Sequence, residues 1–170
     1  MKKYAPLLAR IVFLCSLSGW ASPVQSQTVC NSPEANAFDF QIGIWQQVEG
    51  NQVHEVKKVL NGCAIQEVWK AGDADYAFAL KSCDEGRHRD GKHRWLYSWV
   101  SSGYHQLWEG RKEDGQWRFY REWLREGQPI LSRTYWTPIA ANTLERIVEQ
   151  SRDGGKTWTP HVKEQYTKKS

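Results

Sequence analysis

The chain has 170 residues and a formal net charge of +4. That length suits one domain with its own core, and so small a charge excludes the broad basic footprint of a nucleic-acid binder. The five histidines are scattered and none of the four cysteines forms a C-x-x-C pair, so a compact metal site has little support.

The first element is a leader. Lys2, Lys3 and Arg10 precede the apolar run Ile11–Leu17, and small and polar residues follow as far as Ser26. This pattern predicts a secretory signal peptide over 1–26, with cleavage after Ser26 rather than Ala21. A membrane anchor is the competing reading, but the run falls short of the ~20 apolar residues of a spanning helix. Bulky Leu14 also argues against a lipid on Cys15. Removing the leader takes three basic residues and leaves the 27–170 domain near +1.

From Trp45 onward the chain alternates with a period of two, and turn residues punctuate it. Gly50-Asn51, Asn61-Gly62, Ala71-Gly72-Asp73, the stretch 84–91, Ser101–Gly103, Glu113-Asp114-Gly115, Glu126-Gly127-Gln128, Pro138–Asn142 and Asp153-Gly154-Gly155 separate about ten strands. These lie near 44–49, 52–60, 63–70, 74–83, 92–100, 104–111, 116–124, 129–137, 143–151 and 156–167. Short links between consecutive strands predict an antiparallel meander, and closure into an up-and-down barrel removes its edges. The fold class is therefore all-β, a single barrel of about ten strands. The loop holding Arg87, His88, Arg89, Lys92, His93 and Arg94 is basic, but Asp84, Glu85 and Asp90 are interleaved, so it reads as a solvated turn.

Nine Trp, six Tyr and four Phe follow the leader, and rings of that size tend to line pockets. Trp95, Tyr97 and Trp99 share one face of their strand, and Trp117, Phe119, Arg121 and Trp123 share one face of theirs. Ile65, Glu67 and Trp69 do the same, as do Leu144, Arg146 and Val148. Charges among aromatics are costly in a dry core. The pattern predicts a cavity in which Glu67, Trp69, Trp99, Arg121, Trp123 and Arg146 point inward, with Trp45 buried at one end. An ordinary packed barrel with the charges at its mouth is the alternative.

The stretch "SRDGGKTW" (151–158) fits the Asp-box pattern of sialidase-type propellers. No second copy or repeat period accompanies it, and 144 residues do not make a propeller. It is expected to cap one hairpin, with Asp153 accepting N–H bonds and Trp158 packing back. No nucleophile elbow, H-E-x-x-H motif or C-x-x-C pair occurs. His88 with His93 is a weak metal candidate, and His161, compared with the haem ligand of nitrobindin-type barrels, lacks the accompanying motif. No cofactor and no metal site is expected, and no catalytic residue is assigned.

"FDFQIGIW" (38–45) carries Gly43-x-Trp45 and resembles the G-x-W signature of lipocalins and other calycins. With "LNGCAIQEVW" (60–69), "RWLYSWV" (94–100), "YWTP" (135–138) and "EQSRDGGKTW" (149–158), the order of motifs is similar to that of a family of exported, lipocalin-like bacterial proteins. The resemblance implies a calycin-type barrel and export. It departs at Gln41, where an aromatic is usual, which is expected to loosen or polarise one end. It also implies a disulfide between Cys30, ahead of "FDF", and Cys63, in "GC". Both positions reach the same end of the predicted barrel, and Cys83 is left over.

The function expected is a periplasmic or secreted module binding a small, partly apolar and partly anionic ligand, without nucleic-acid partners or a stable membrane anchor. One alternative is an enzyme using the same cavity, with Glu67 as acid or base and an arginine holding an anion. A filled, structural barrel is the other.

Overall fold

Alternation and turn chemistry produce ten strands in the computed structural model, which describes residues 30, 32–85 and 93–169, with backbone alone for Glu85 and His93. They are β1 (Gly43–Gln47), β2 (Gln52–Val59), β3 (Ala64–Ala71), β4 (Ala74–Glu85), β5 (His93–Ser101), β6 (Tyr104–Glu113), β7 (Gln116–Arg125), β8 (Gln128–Ala140), β9 (Thr143–Ser151) and β10 (Thr159–Lys168). Each pairs antiparallel with its chain neighbours, and β1 pairs with β10, so the sheet closes into an up-and-down barrel. The leader expected at 1–26 and most of the basic loop, His88 included, lie outside the described residues. Among those described, no helix is long and apolar enough to cross a membrane.

Turn residues set the register. Asp114-Gly115 and Glu126-Gly127 both have positive φ at two successive positions. They join strands whose last pairs are Glu113↔Gln116 and Arg125↔Gln128, the two-residue hairpin geometry that matches strand twist. Asn61-Gly62 differs from its expected two-residue turn. The β2–β3 ladder ends at Val59↔Ala64, and Leu60, Asn61 and Gly62 all take positive φ. The longer turn presents Cys63 to Cys30, and the two form a disulfide.

That disulfide ties the segment before β1 across one end of the barrel. Within that segment Phe38 is buried, edge-on to Trp95 at 4.9 Å and stacked on Phe119 at 5.3 Å. Trp45, buried as expected, donates its indole N–H to the Gln41 carbonyl at 2.7 Å. The plugged base is thus aromatic except at Gln41. Gly43 has φ +140°, and a Cβ there would come within 2.7 Å of the Lys168 side chain. The G-x-W glycine therefore serves both a left-handed backbone and the β1–β10 seam.

The turn at 151–158 is built as its sequence implies. Asp153 accepts from the Thr157 N–H (2.9 Å) and hydroxyl (2.6 Å), and the Gly155 N–H donates to Ser151 Oγ at 2.8 Å. Trp158 packs on the outer wall against Tyr120 and Arg133. The turn holds residues through 158, so β10 starts at Thr159 rather than near 156.

One seam is incomplete. The β6–β7 ladder runs from Glu113↔Gln116 only as far as Glu109↔Tyr120. Beyond it, 104–108 remain in β6 and lie alongside β5, while 121–125 pair with β8. The two hairpins therefore diverge at the end opposite the plug.

Candidate functional site

Strand parity brings the expected inward faces together. Trp95, Tyr97, Trp117 and Phe119 are buried, and so are Ile65, Glu67 and Trp69. At the open end a cavity of about 270 Å³ is lined by Trp99, Trp108, Arg121, Trp123 and Arg146, with Tyr97, Tyr104, Gln150 and His161 among the other walls. Four of the six residues singled out from sequence thus meet in one space. Glu67 and Trp69 do not line it. They belong to the packed interior beside it, which Trp69 joins to the cavity through Arg146, whose guanidinium carbon lies 5.2 Å from the indole.

Arg121 is set between two indoles. Its guanidinium carbon lies 4.8 Å from the Trp108 ring and 5.3 Å from that of Trp123, a cation–π arrangement. Trp123 is fixed by donating its N–H to Ser132 Oγ at 2.9 Å. Arg121 has no carboxylate partner among the described residues, and burial pulls its guanidinium below its ordinary value. Arg146 has a partner that sequence parity missed: Glu164, from the neighbouring strand β10, accepts from it at 2.8 Å and from the Tyr166 hydroxyl at 3.0 Å. Burial alone would weaken the Arg146 charge, but Tyr97, Glu164 and Tyr166 more than offset it and raise its pKa.

The unsatisfied groups around this space are donors. The Nε–H groups of Arg121 and Arg146 and the indole N–H of Trp108, all on the cavity wall, are buried without a hydrogen-bond acceptor. Such groups cost free energy unless an acceptor reaches them.

Deeper lies an ionic cluster. Lys81 and Glu67, both 0% exposed, form an ion pair. Lys81 Nζ also donates to Gln41 Oε1 at 2.6 Å and lies 3.8 Å from the centre of the Trp136 ring, with Phe38 and Tyr97 at 5.1 Å. Glu67 accepts from the Tyr97 hydroxyl at 3.2 Å and faces His54 Nε2 at 3.2 Å. His54 is stacked on Trp69 with ring centres 3.7 Å apart. Burial would raise the Glu67 carboxyl, but Lys81 and His54 outweigh it and hold it at about 2. Burial lowers both the Lys81 amine and the His54 imidazole. Gln41 does polarise the base, by supplying an acceptor to Lys81.

Lys81, His54 and Glu164 escaped the sequence reading as parts of this interior. On β4 the inward face is Ala77, Ala79 and Lys81, while Phe78 is exposed on the outer wall and Leu80 is half-buried there. Apolarity alone assigns that strand the wrong way round. The usable signal was small size: Ala77 and Ala79 stand opposite Trp69 and Trp99, where the rings need room.

Among the described residues no group of three His, Cys, Asp or Glu could hold a metal ion. His161 lines the cavity mouth with no such companions. No protein-family model and no curated protein matches the chain.

Proposed function

We propose that this protein is an exported binding module that holds a small ligand with an apolar or aromatic body and an anionic end at the open mouth of the barrel, in the periplasm or outside the cell. The observation that carries this reading is Arg121, a cation held between two indoles on the cavity wall with no carboxylate partner among the described residues. An oxyanion there would pair the guanidinium and offset its desolvation, and a flat or aliphatic body would lie on Trp99, Trp108 and Trp123. The donor surplus points the same way. The Cys30–Cys63 disulfide fits an oxidising compartment, and the resemblance to exported lipocalin-like barrels supports both export and a binding role.

The geometry favours binding over the enzymatic alternative. Glu67 is sealed from the cavity and held ionised at about 2 by Lys81 and His54. It carries no proton to donate near neutrality and is a poor base. The filled-barrel alternative describes the plugged half, where Phe38 packs on Trp95 and Phe119, and not the open half.

The test uses hexanoate as the anionic probe, followed by tryptophan fluorescence. Binding should quench or shift the emission, and Arg121→Ala should weaken it about 10- to 100-fold, as for a lost charge-assisted hydrogen bond. Unchanged hexanoate binding in that variant overturns the reading, as does the absence of any response in the parent protein. Native mass spectrometry of protein taken from its own compartment should show a bound small anion that Arg121→Ala lacks.

A further inference from the structure

We infer that the divergence of β6 from β7 is a slot in the barrel wall through which an anionic single-chain amphiphile lies, head at Arg121 and tail in a groove on the outer surface. This rests on the binding reading above and specifies its ligand class. Three observations carry it. The first is the break in pairing: Glu109↔Tyr120 is the last rung, and the residues beyond it belong to different hairpins. The second is a groove of about 710 Å³ that meets the wall there. It is lined by Leu80, Leu96, Leu107 and Leu131 from the outer face, and also by Trp108 and Arg121. Those last two are inward residues that line the lumen cavity as well. One pair of side chains therefore borders both spaces, at the rung where pairing stops.

The third observation is size and polarity. The lumen space of about 270 Å³ lies just below the ~300–1,000 Å³ of ordinary ligand pockets, and it holds the uncompensated cation. The outer groove is within that range and presents leucines, with Leu107 67% and Leu96 52% exposed. An anionic head belongs at Arg121, and an aliphatic tail has more apolar room outside than within. Of the three acids on the groove, Glu109 is paired with Arg94 at 3.4 Å, and neither it nor Asp84 nor Glu122 lines the lumen cavity, so the charge facing the slot's inner end is that of Arg121.

The occupant is set by chemistry: a carboxylate, sulfate or phosphate on one alkyl chain. Each methylene laid in an open groove loses part of its water, so affinity should rise with chain length where a closed lumen of this size would reject the longer chain.

The experiment is a calorimetric titration of the full chain with hexanoate and with dodecanoate, kept below the micellar range. Dodecanoate should bind roughly 50-fold tighter, on about half burial of six added methylenes. Leu107→Asp and Leu96→Asp alter exposed groove positions and should fold normally by near-ultraviolet circular dichroism. Each should weaken dodecanoate about 10-fold or more and leave hexanoate unchanged, whereas Arg121→Ala should weaken both. If hexanoate binds through Arg121 but dodecanoate binds no tighter, or the groove variants leave dodecanoate unaffected, the slot is overturned while the lumen site stands. If neither acid binds, the binding reading itself falls with it.

Discussion

Glu67 shows how one side chain can be committed to structure. Lys81 and His54 hold its carboxyl at about 2, and the pair sits where neither member meets water. A buried ion pair is weak evidence of net stabilisation, but removing one partner leaves an uncompensated charge. Glu67→Gln should therefore cost about 3–5 kcal/mol in urea unfolding. The double variant Glu67→Gln/Lys81→Met should cost less than the sum of the single losses. Strict additivity in that cycle would show that the two do not act as a pair.

The same cluster sets the response to acid. Burial keeps the His54 imidazole below its ordinary 6.5, so on acidification the unfolded chain takes up a proton there that the folded chain refuses. Stability then falls as pH drops below about 6.5. Glu67 adds a second loss. Its folded value near 2 lies below its ordinary 4.5, so its contribution is complete above about 4.5 and disappears as pH falls toward 2. Thermal melts between pH 7.5 and 3 should show a decline starting near 6.5 and steepening below 4.5. His54→Asn should flatten the upper part, and an unchanged upper slope in that variant would contradict the assignment.

At the level of elements, the meander depends on close approaches at its seams. Gly110 on β6 lies opposite Trp95, and a Cβ there would come 2.8 Å from the Trp95 Cβ and 2.9 Å from its carbonyl oxygen. Trp95 is held by its pairing with Cys83 on β4 and by its indole N–H bond to the Glu34 carbonyl at 3.0 Å, so neither atom yields easily. Gly110→Ala should cost about 1–3 kcal/mol by overpacking. A neutral result in chemical denaturation would mean that the sheet opens locally at little cost. The glycine-bearing turns at 114–115 and 126–127 are a different case, since nothing lies within 4 Å of an added Cβ at Gly115 or Gly127. Their glycines answer to positive φ alone.

For the whole molecule the disulfide ties the N-terminal plug to the β2–β3 turn across 33 residues. In the chain-entropy picture that closure is worth roughly 3–4 kcal/mol. Cys63→Ser should lower the melting temperature markedly, and reductant should do the same to the parent protein while leaving the variant unmoved. Coincident melts for parent and variant would show that the plug docks without covalent help.

The sequence by itself determined the strand count, most of the turns, the antiparallel class and the inward faces of β3, β5, β7 and β9, because these follow from a period of two and from local backbone chemistry. It misjudged the turn at 60–62, which is longer than Asn61-Gly62, and the one after β8, a strand that runs on to Ala140. It also placed Trp99, Arg121, Trp123 and Arg146 on one wall set, since parity fixes a face once its strand is known. Tertiary structure decided the rest. Which face of β4 turns inward depended on Trp69 and Trp99 needing the space above Ala77 and Ala79, a fact about neighbours on other strands. Whether Arg121 or Arg146 is left without a counter-charge depended on Glu164 lying beside Arg146 across the β9–β10 ladder. The seam between β6 and β7 had no sequence signal either, because pairing is a property of two hairpins and how far they diverge, and alternation within each is the same whether or not they meet.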